Sequence, residues 1–350
     1  MNRTILYFVA LIVVALAAPA SAREEGPVRI VATLPDIGSI AESIGGDKVT
    51  VTTLARGFED PHYVTPTPAL MSAVSRAELF LEIGLSLEIW SEKVLDGARN
   101  PSVRPGSAGD AYVSKGVRPL DVPEVVTRER GDLHPEGNPH IWLDPLNGLI
   151  MARNIRDALI RVAPEERKSF EDGYGRLAAQ VYECLYGPEL VMLLGGPVLE
   201  KLDRAGRLHA FLAAKSLEGR PLIARLGGIH GKAQAFRGKK IVFYHPSWVY
   251  FANRFGVDIR GYVENKPGIT PTAKHRDDLI GQIRDEKIRV LAMTSYYPKR
   301  VPNAIVSATG MKLVLLPNAT GGVEGAGDYI AFLELVVGRL ADAYRGSDAR

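Results

Sequence analysis

Short β-branched runs alternate with helical runs in both halves of this 350-residue chain, and that alternation restricts the fold more than any other feature. Residues 28–33 (Val-Arg-Ile-Val-Ala-Thr), bounded by Pro35, read as a buried strand. Residues 37–44 then read as a helix stopped by Gly45-Gly46, and 48–53 as a second strand by alternation. Residues 67–77 follow as a helix with Pro68 near its start, and 79–82 as a third strand. The second half repeats the pattern, with strands at 240–244, 288–293 and 312–316 and a terminal helix at 329–344. Such alternation builds parallel sheets flanked by helices, whose ligands bind beyond the carboxyl ends of the strands.

Between the halves, Asp144-Pro145 forms a helix start, a carboxylate cap followed by proline at the first helical position. Apolar residues at helical spacing run from Met151 to Val162, and Pro164 ends that helix. A second amphipathic run carries Phe170, Tyr174, Leu177, Val181 and Leu185. The expected organisation is an α/β lobe at 23–145, linking helices at 146–186, an extra helical segment at 187–232 and a second α/β lobe at 233–350.

Composition narrows the function. At 46% hydrophobic and 24% charged, the chain is too apolar and too balanced to be disordered. Its single cysteine, Cys184, excludes an internal disulfide and reads as a small buried hydrophobe beside the second helix's apolar stripe. Forty-three basic against 40 acidic residues give no reason to expect a nucleic-acid partner. Arg3, the apolar run from Ile5 to Ala18 and the small residues Ala20-Ser21-Ala22 form a signal peptide, with cleavage expected after Ala22. The run is shorter than the about 20 residues of a membrane span, which disfavours an anchor helix. No cysteine near the cleavage site offers a lipid attachment point. The mature chain is expected to be soluble outside the cytoplasm.

Three of the seven histidines stand at loops or strand ends. His62 lies in Glu59-Asp60-Pro61-His62, His140 in Asn138-Pro139-His140, and His245 closes a strand in Tyr244-His245-Pro246. The neighbouring prolines stiffen the backbone, which suits metal ligands, whose positions tolerate only about ±0.2 Å. Neutral imidazoles suit a borderline-soft divalent ion, zinc above all. Each histidine alone is also consistent with a hydrogen-bonded structural residue, and the three share no short metal motif. His209, His230 and His275 read as surface residues, and His134, between Asp132 and Glu136, as part of a polar loop. Trp142 and Trp248 are expected to pack against the site and Asp144 to act first as a helix cap, while Glu59 and Asp60 read equally as solvated charges or as a partner that orients His62.

The same residues resemble the zinc- and manganese-binding solute-binding proteins of bacterial ABC importers (the cluster A-I family). The resemblance runs over most of the mature chain. It begins with Val31-Ala32-Thr33 and Gly45-Gly46-Asp47-Lys48-Val49 and continues through Asp60-Pro61-His62-Tyr63. Gly84-Leu85-Ser86-Leu87-Glu88-Ile89-Trp90 matches the segment after the family's third strand. His140-Ile141-Trp142-Leu143-Asp144-Pro145 is its most distinctive part, and Tyr244-His245 with Trp248 and Phe255-Gly256 completes it. The resemblance implies two lobes, each a parallel sheet flanked by helices, joined by a long rigid helix. It implies His62, His140 and His245 as metal ligands, a membrane permease as partner, a periplasmic location and a monomeric binding protein rather than an enzyme. Histidine at 245, where manganese binders tend to have glutamate, favours Zn2+, with Mn2+ or iron as the alternative cargo.

Two features depart from that pattern. The acidic fourth ligand expected after the strand at 288–293 is missing from Thr294-Ser295-Tyr296-Tyr297-Pro298-Lys299, which leaves water, another carboxylate or a hydroxyl of this loop. Glu264 is the stray carboxylate on offer for that place, although its first reading is a solvated loop charge. The segment 187–232 is additional to the common form, with no specific function read for it beyond covering the cleft or contributing a contact. Three histidines and a water also make a catalytic zinc site, so a secreted zinc hydrolase is the rival reading.

Overall fold

The computed structural model describes residues 26–124, 134–266 and 268–345. The expected signal peptide lies outside the described residues. The first sheet contains β1 (Val28–Ala32), β2 (Val49–Thr53), β3 (Leu79–Glu82) and β4 (Asp110–Tyr112), in the order β2-β1-β3-β4 and parallel throughout. Its helices are α1 (Pro35–Gly45), α2 (Pro68–Ser75) and α3 (Ser91–Ala98). Proline opens both α1 and α2, and the Thr67 hydroxyl caps α2 by accepting from the Leu70 amide.

Helix α4 (Pro145–Val162) is capped by Asp144, whose carboxylate accepts from the Leu146 amide at 2.9 Å. After the break at Pro164, α5 (Arg167–Tyr186) runs for 20 residues, about 30 Å. It packs against α1 at one end and α9 (Gly228–Ala233) at the other, and so joins the two lobes. Between them, the segment after α5 forms α6 (Pro188–Leu194), α7 (Gly196–Arg204), α8 (Leu208–Ala214) and a two-stranded hairpin, β5 (Ser216–Leu217) with β6 (Arg220–Pro221).

The second sheet holds β7 (Lys240–Phe243), β8 (Asp258–Tyr262), β9 (Val290–Thr294) and β10 (Lys312–Leu316), in the order β10-β9-β7-β8. Read from the other edge, this is the strand order of the first sheet. Its helices are α10 (Val249–Phe255), α11 (Ala273–Glu286), α12 (Arg300–Thr309) and α13 (Tyr329–Arg345). Strands β4 and β8 were not anticipated from sequence. Both lie at sheet edges; β4 has three residues, and β8 is half-buried with a bulge where Ile241 gives way to Val242 opposite Gly261. Neither has the continuous apolar run that marks a central strand.

One apolar cluster runs through both lobes and includes Ile30, Leu81, Trp142, Phe170, Phe243 and Phe332. Smaller clusters cover the outer face of each sheet. Cys184 lies within the shared cluster, where burial pushes its thiol up to about 12. Polar contacts cross the same seam: the Trp142 indole N–H donates to the Asn318 carbonyl at 2.9 Å, and the Tyr329 hydroxyl donates to the Trp142 carbonyl at 2.7 Å. Backbone meets backbone at Gly57, where an added Cβ would lie 2.2 Å from the Thr320 carbonyl oxygen and 2.4 Å from the Gly322 nitrogen.

Asp36, in the first turn of α1, is fully buried at this seam. Its Oδ1 accepts from the Thr320 amide at 3.1 Å and hydroxyl at 2.9 Å, while Oδ2 has no partner. Burial raises its carboxyl from 3.8 to about 7, so the fold favours the protonated acid. Stability from that proton is complete below the ordinary carboxylate range and is lost as pH rises through about 7. Glu82 and Glu88, raised by burial to about 7 and about 8, act in the same direction. Asp36→Asn should therefore flatten the decline in stability between about pH 4 and about pH 7, measured by urea unfolding. Identical pH slopes for parent and variant would remove Asp36 from this account.

Candidate metal centre

His62 and His140 are presented by the same local device. In Asp60-Pro61-His62, the Asp60 Oδ1 accepts the His62 backbone N–H at 3.1 Å and lies 2.7 Å from the ring Nδ1. In Asn138-Pro139-His140, the Asn138 Oδ1 accepts the His140 backbone N–H at 3.1 Å and lies 2.9 Å from that ring's Nδ1. An Asx side chain folds back two residues on, and the proline between has no N–H to compete for it. The Trp90 indole pins the first loop by donating to the Pro61 carbonyl at 2.8 Å.

His245 follows β7 and obtains its partner from the neighbouring strand. Glu264, just beyond β8, places Oε2 2.6 Å from the His245 Nδ1, and its own amide donates to the Tyr244 carbonyl at 2.8 Å. Each of the three rings thus has an oxygen acceptor at Nδ1. That assignment puts the ring proton on Nδ1 and leaves the Nε2 lone pair bare. The Nε2 atoms of His62 and His140 are buried without a hydrogen-bond partner. One ring nitrogen from each of His62, His140 and His245 lies within 4.8 Å of the others, and the ring centroids are 5.1–5.8 Å apart. The three histidines anticipated from sequence therefore converge, although 183 positions separate the first from the last.

Electrostatics keep this cluster able to bind a cation. Burial, then repulsion from His62, His245 and His134, holds the His140 imidazole well below its ordinary value of 6.5. Asp60 is buried, which opposes its ionisation, yet its hydrogen bonds and charge interaction with His62 hold it below the usual carboxylate range. A cavity of about 220 Å³ opens onto the rings and is lined by Asp60, His62, Tyr63, His245, Glu264 and Tyr297, among others. His140 is 1% exposed and Trp142 is fully buried, its ring 5.2 Å from that of His140. Trp248 stacks on Phe243 at 5.4 Å. Trp142 thus packs against the site as expected, whereas the ring partners of Trp248 are Phe243 and Phe251.

The structure corrects three sequence expectations. Glu264 is not a solvated loop charge; it is 7% exposed and is the carboxylate on His245. His134 does more than sit in a polar loop, since its ring centroid lies 5.3 Å from His62 and 6.4 Å from His140. His230 is not a surface residue; it is 1% exposed and its Nε2 lies 2.8 Å from Asp203 Oδ2. The sequence signal for His134 was its place six residues before His140; Glu264 was marked only as a stray carboxylate, and nothing local marked the Asp203–His230 pair. His209 and His275 are partly exposed, and His275 lies 2.9 Å from the Tyr262 carbonyl through Nε2. In the loop that lacks an acid, the hydroxyls of Tyr296 and Tyr297 are buried without a well-formed hydrogen bond, and the Tyr297 ring stacks on His245 at 5.6 Å.

Known proteins share this architecture. Iron-binding protein YfeA of Yersinia pestis is 26% identical over 320 residues, covering 90% of this chain and 86% of that protein. The manganese ABC transporter substrate-binding lipoprotein PsaA of Streptococcus anginosus is 30% identical over 169 residues, covering 46% of this chain and 52% of the lipoprotein. The chain thus spans about half the length of that streptococcal relative. The crystal structure of ZnuA matches the fold with a TM-score of 0.64 at 22% identity, covering 91% of this chain and 99% of the other. The family described as zinc-uptake complex component A, periplasmic (ZnuA), matches residues 30–184 and 227–343. The chain belongs to the ZnuA family of metal-binding components of ABC importers.

Proposed function

We propose that His62, His140 and His245 capture Zn2+ through their Nε2 atoms for delivery to the membrane permease of an ABC importer. The observation that carries this reading is the convergence of three imidazoles whose Nδ1 positions are all occupied by oxygen acceptors. Such partners fix the tautomer, aim the ring and raise the basicity of the ligating nitrogen. Three nitrogen donors with no carboxylate from the loop after β9 suit zinc better than a harder ion. The protein works as a monomer in the periplasm after cleavage at Ala22, with no nucleic-acid partner. No helix of the described residues is long and apolar enough to cross a membrane. The family consists of binding proteins, so this chain is not an enzyme and the hydrolase reading falls.

Manganese or iron is the second reading. Glu264 and Tyr297 bring oxygen groups to the cavity, and relatives are named for both ions. Binding needs no covalent chemistry. Because one apolar cluster crosses both lobes, release is best served by movement of a ligand loop rather than by separation of the lobes.

Titration of the mature protein with zinc tests the site. Single alanine variants at His62, His140 and His245 should each weaken binding by about 100-fold or more, beyond the cost of losing an outer partner. Three variants that bind like the parent would show the assignment to be wrong. Competition between zinc and manganese for the apo protein should favour zinc by at least about 100-fold; a preference for manganese would transfer the reading to the harder ion.

Acidification supplies a separate check. Zinc affinity should fall between about pH 7 and about pH 5, because protons compete for the imidazoles. His140 should also subtract from the stability of the folded apo protein as pH drops below 6.5, against the opposite contribution of Asp36, Glu82 and Glu88, since burial disfavours the proton on His140 that the unfolded chain accepts. Calorimetric titration and thermal unfolding across this range measure the two effects, and a zinc affinity indifferent to pH would exclude histidine ligands.

A further inference from the structure

The match to the family omits residues 185–226, yet this stretch reaches the candidate centre through buried charge. Asp203, in α7, places Oδ1 2.9 Å from the Arg254 guanidinium. Arg254, in α10, also forms a two-pronged pair with Asp144, at 2.8 and 2.9 Å. All three side chains are less than a tenth exposed. Asp144 caps α4 only four residues after His140, and α10 begins four residues after His245. One guanidinium therefore ties together the segments that follow two of the three ligands.

The additional segment completes this junction. Without Asp203, the buried Arg254 would keep one carboxylate, and the remaining guanidinium nitrogen would lose its ion pair. Asp203 is itself fixed on its other oxygen, which accepts from the Tyr186 hydroxyl at 3.1 Å and faces the His230 Nε2 at 2.8 Å. The next residue, Arg204, donates to the Leu146 carbonyl at 2.7 Å, in the first turn of α4. Two adjacent residues of α7 thus grip the helix start that follows His140.

We infer that α7 is a brace for the metal centre: Asp203 and Arg204 are positioning residues that, through Arg254 and α4, hold the His140 loop against the His245 loop and slow the escape of the bound cation. This deepens the proposed function and rests on the three-histidine site. It gives the added segment a role in retention of the cargo rather than in covering the cleft.

The test uses the full mature chain loaded with Zn2+, with a chelator in excess and the release rate read by stopped flow. Asp203→Asn keeps the shape of the side chain and should speed release by about tenfold. Arg204→Gln, whose side chain is partly exposed, should speed it several-fold and carries the test if Asp203→Asn does not fold. Leu212→Ala removes a buried apolar side chain from α8 without touching the charged junction. It should lower the melting temperature yet leave release within about twofold of the parent. The visible spectrum of the Co2+-loaded protein should shift in Asp203→Asn and not in Leu212→Ala. Unchanged release in both charge variants overturns the brace, as does equal acceleration in Leu212→Ala. His140→Ala separates the two claims: if it retains zinc like the parent, the site itself is misassigned, whereas its loss of zinc beside an unaltered Asp203→Asn removes the brace alone.

Discussion

A single hydrogen bond, repeated three times, organises this molecule: an oxygen acceptor on the Nδ1 of each converging histidine. Without it an imidazole can rotate or exchange its tautomer, and a lone pair aimed at the cluster becomes a donor aimed at it. Asp60 and Asn138 supply this bond from two residues upstream, so two of the three rings are oriented by their own loops. Glu264 supplies it across a strand pair, so the third ring is oriented only once the second sheet has formed. The centre therefore combines local and tertiary order.

The fold serves that requirement by its repeated strand order. Both sheets run second, first, third, fourth, and His62 and Glu264 follow the second strand of their respective sheets. His245 follows the first strand of the second sheet, beside the point where its strand order reverses. His140 comes from the connection that leads into α4, between the two sheets. No one lobe holds the full set, so the shared apolar cluster that locks the lobes is also what assembles the donors.

Much of this is legible in the sequence. The central strands were marked by β-branched runs, and β3 and β10 coincide with the expected spans at 79–82 and 312–316. Caps and prolines marked α4 and its end, because those signals act within a few residues. The three histidines were marked by their prolines and by resemblance. Edge strands β4 and β8 escaped because a strand exposed on one side needs no apolar run. Glu264 escaped for a different reason: its partner is 19 residues away, and local polarity cannot distinguish a buried hydrogen-bonded carboxylate from a solvated one. The Asp144–Arg254–Asp203 junction spans 110 positions and was equally invisible to local patterns.

The contact between Gly57 and the 320–322 turn sets a boundary of another kind. Main chain abuts main chain there, with no side chain available to yield or repack. Any side chain at position 57 would have to wedge the two stretches of main chain apart, so glycine is what lets them meet.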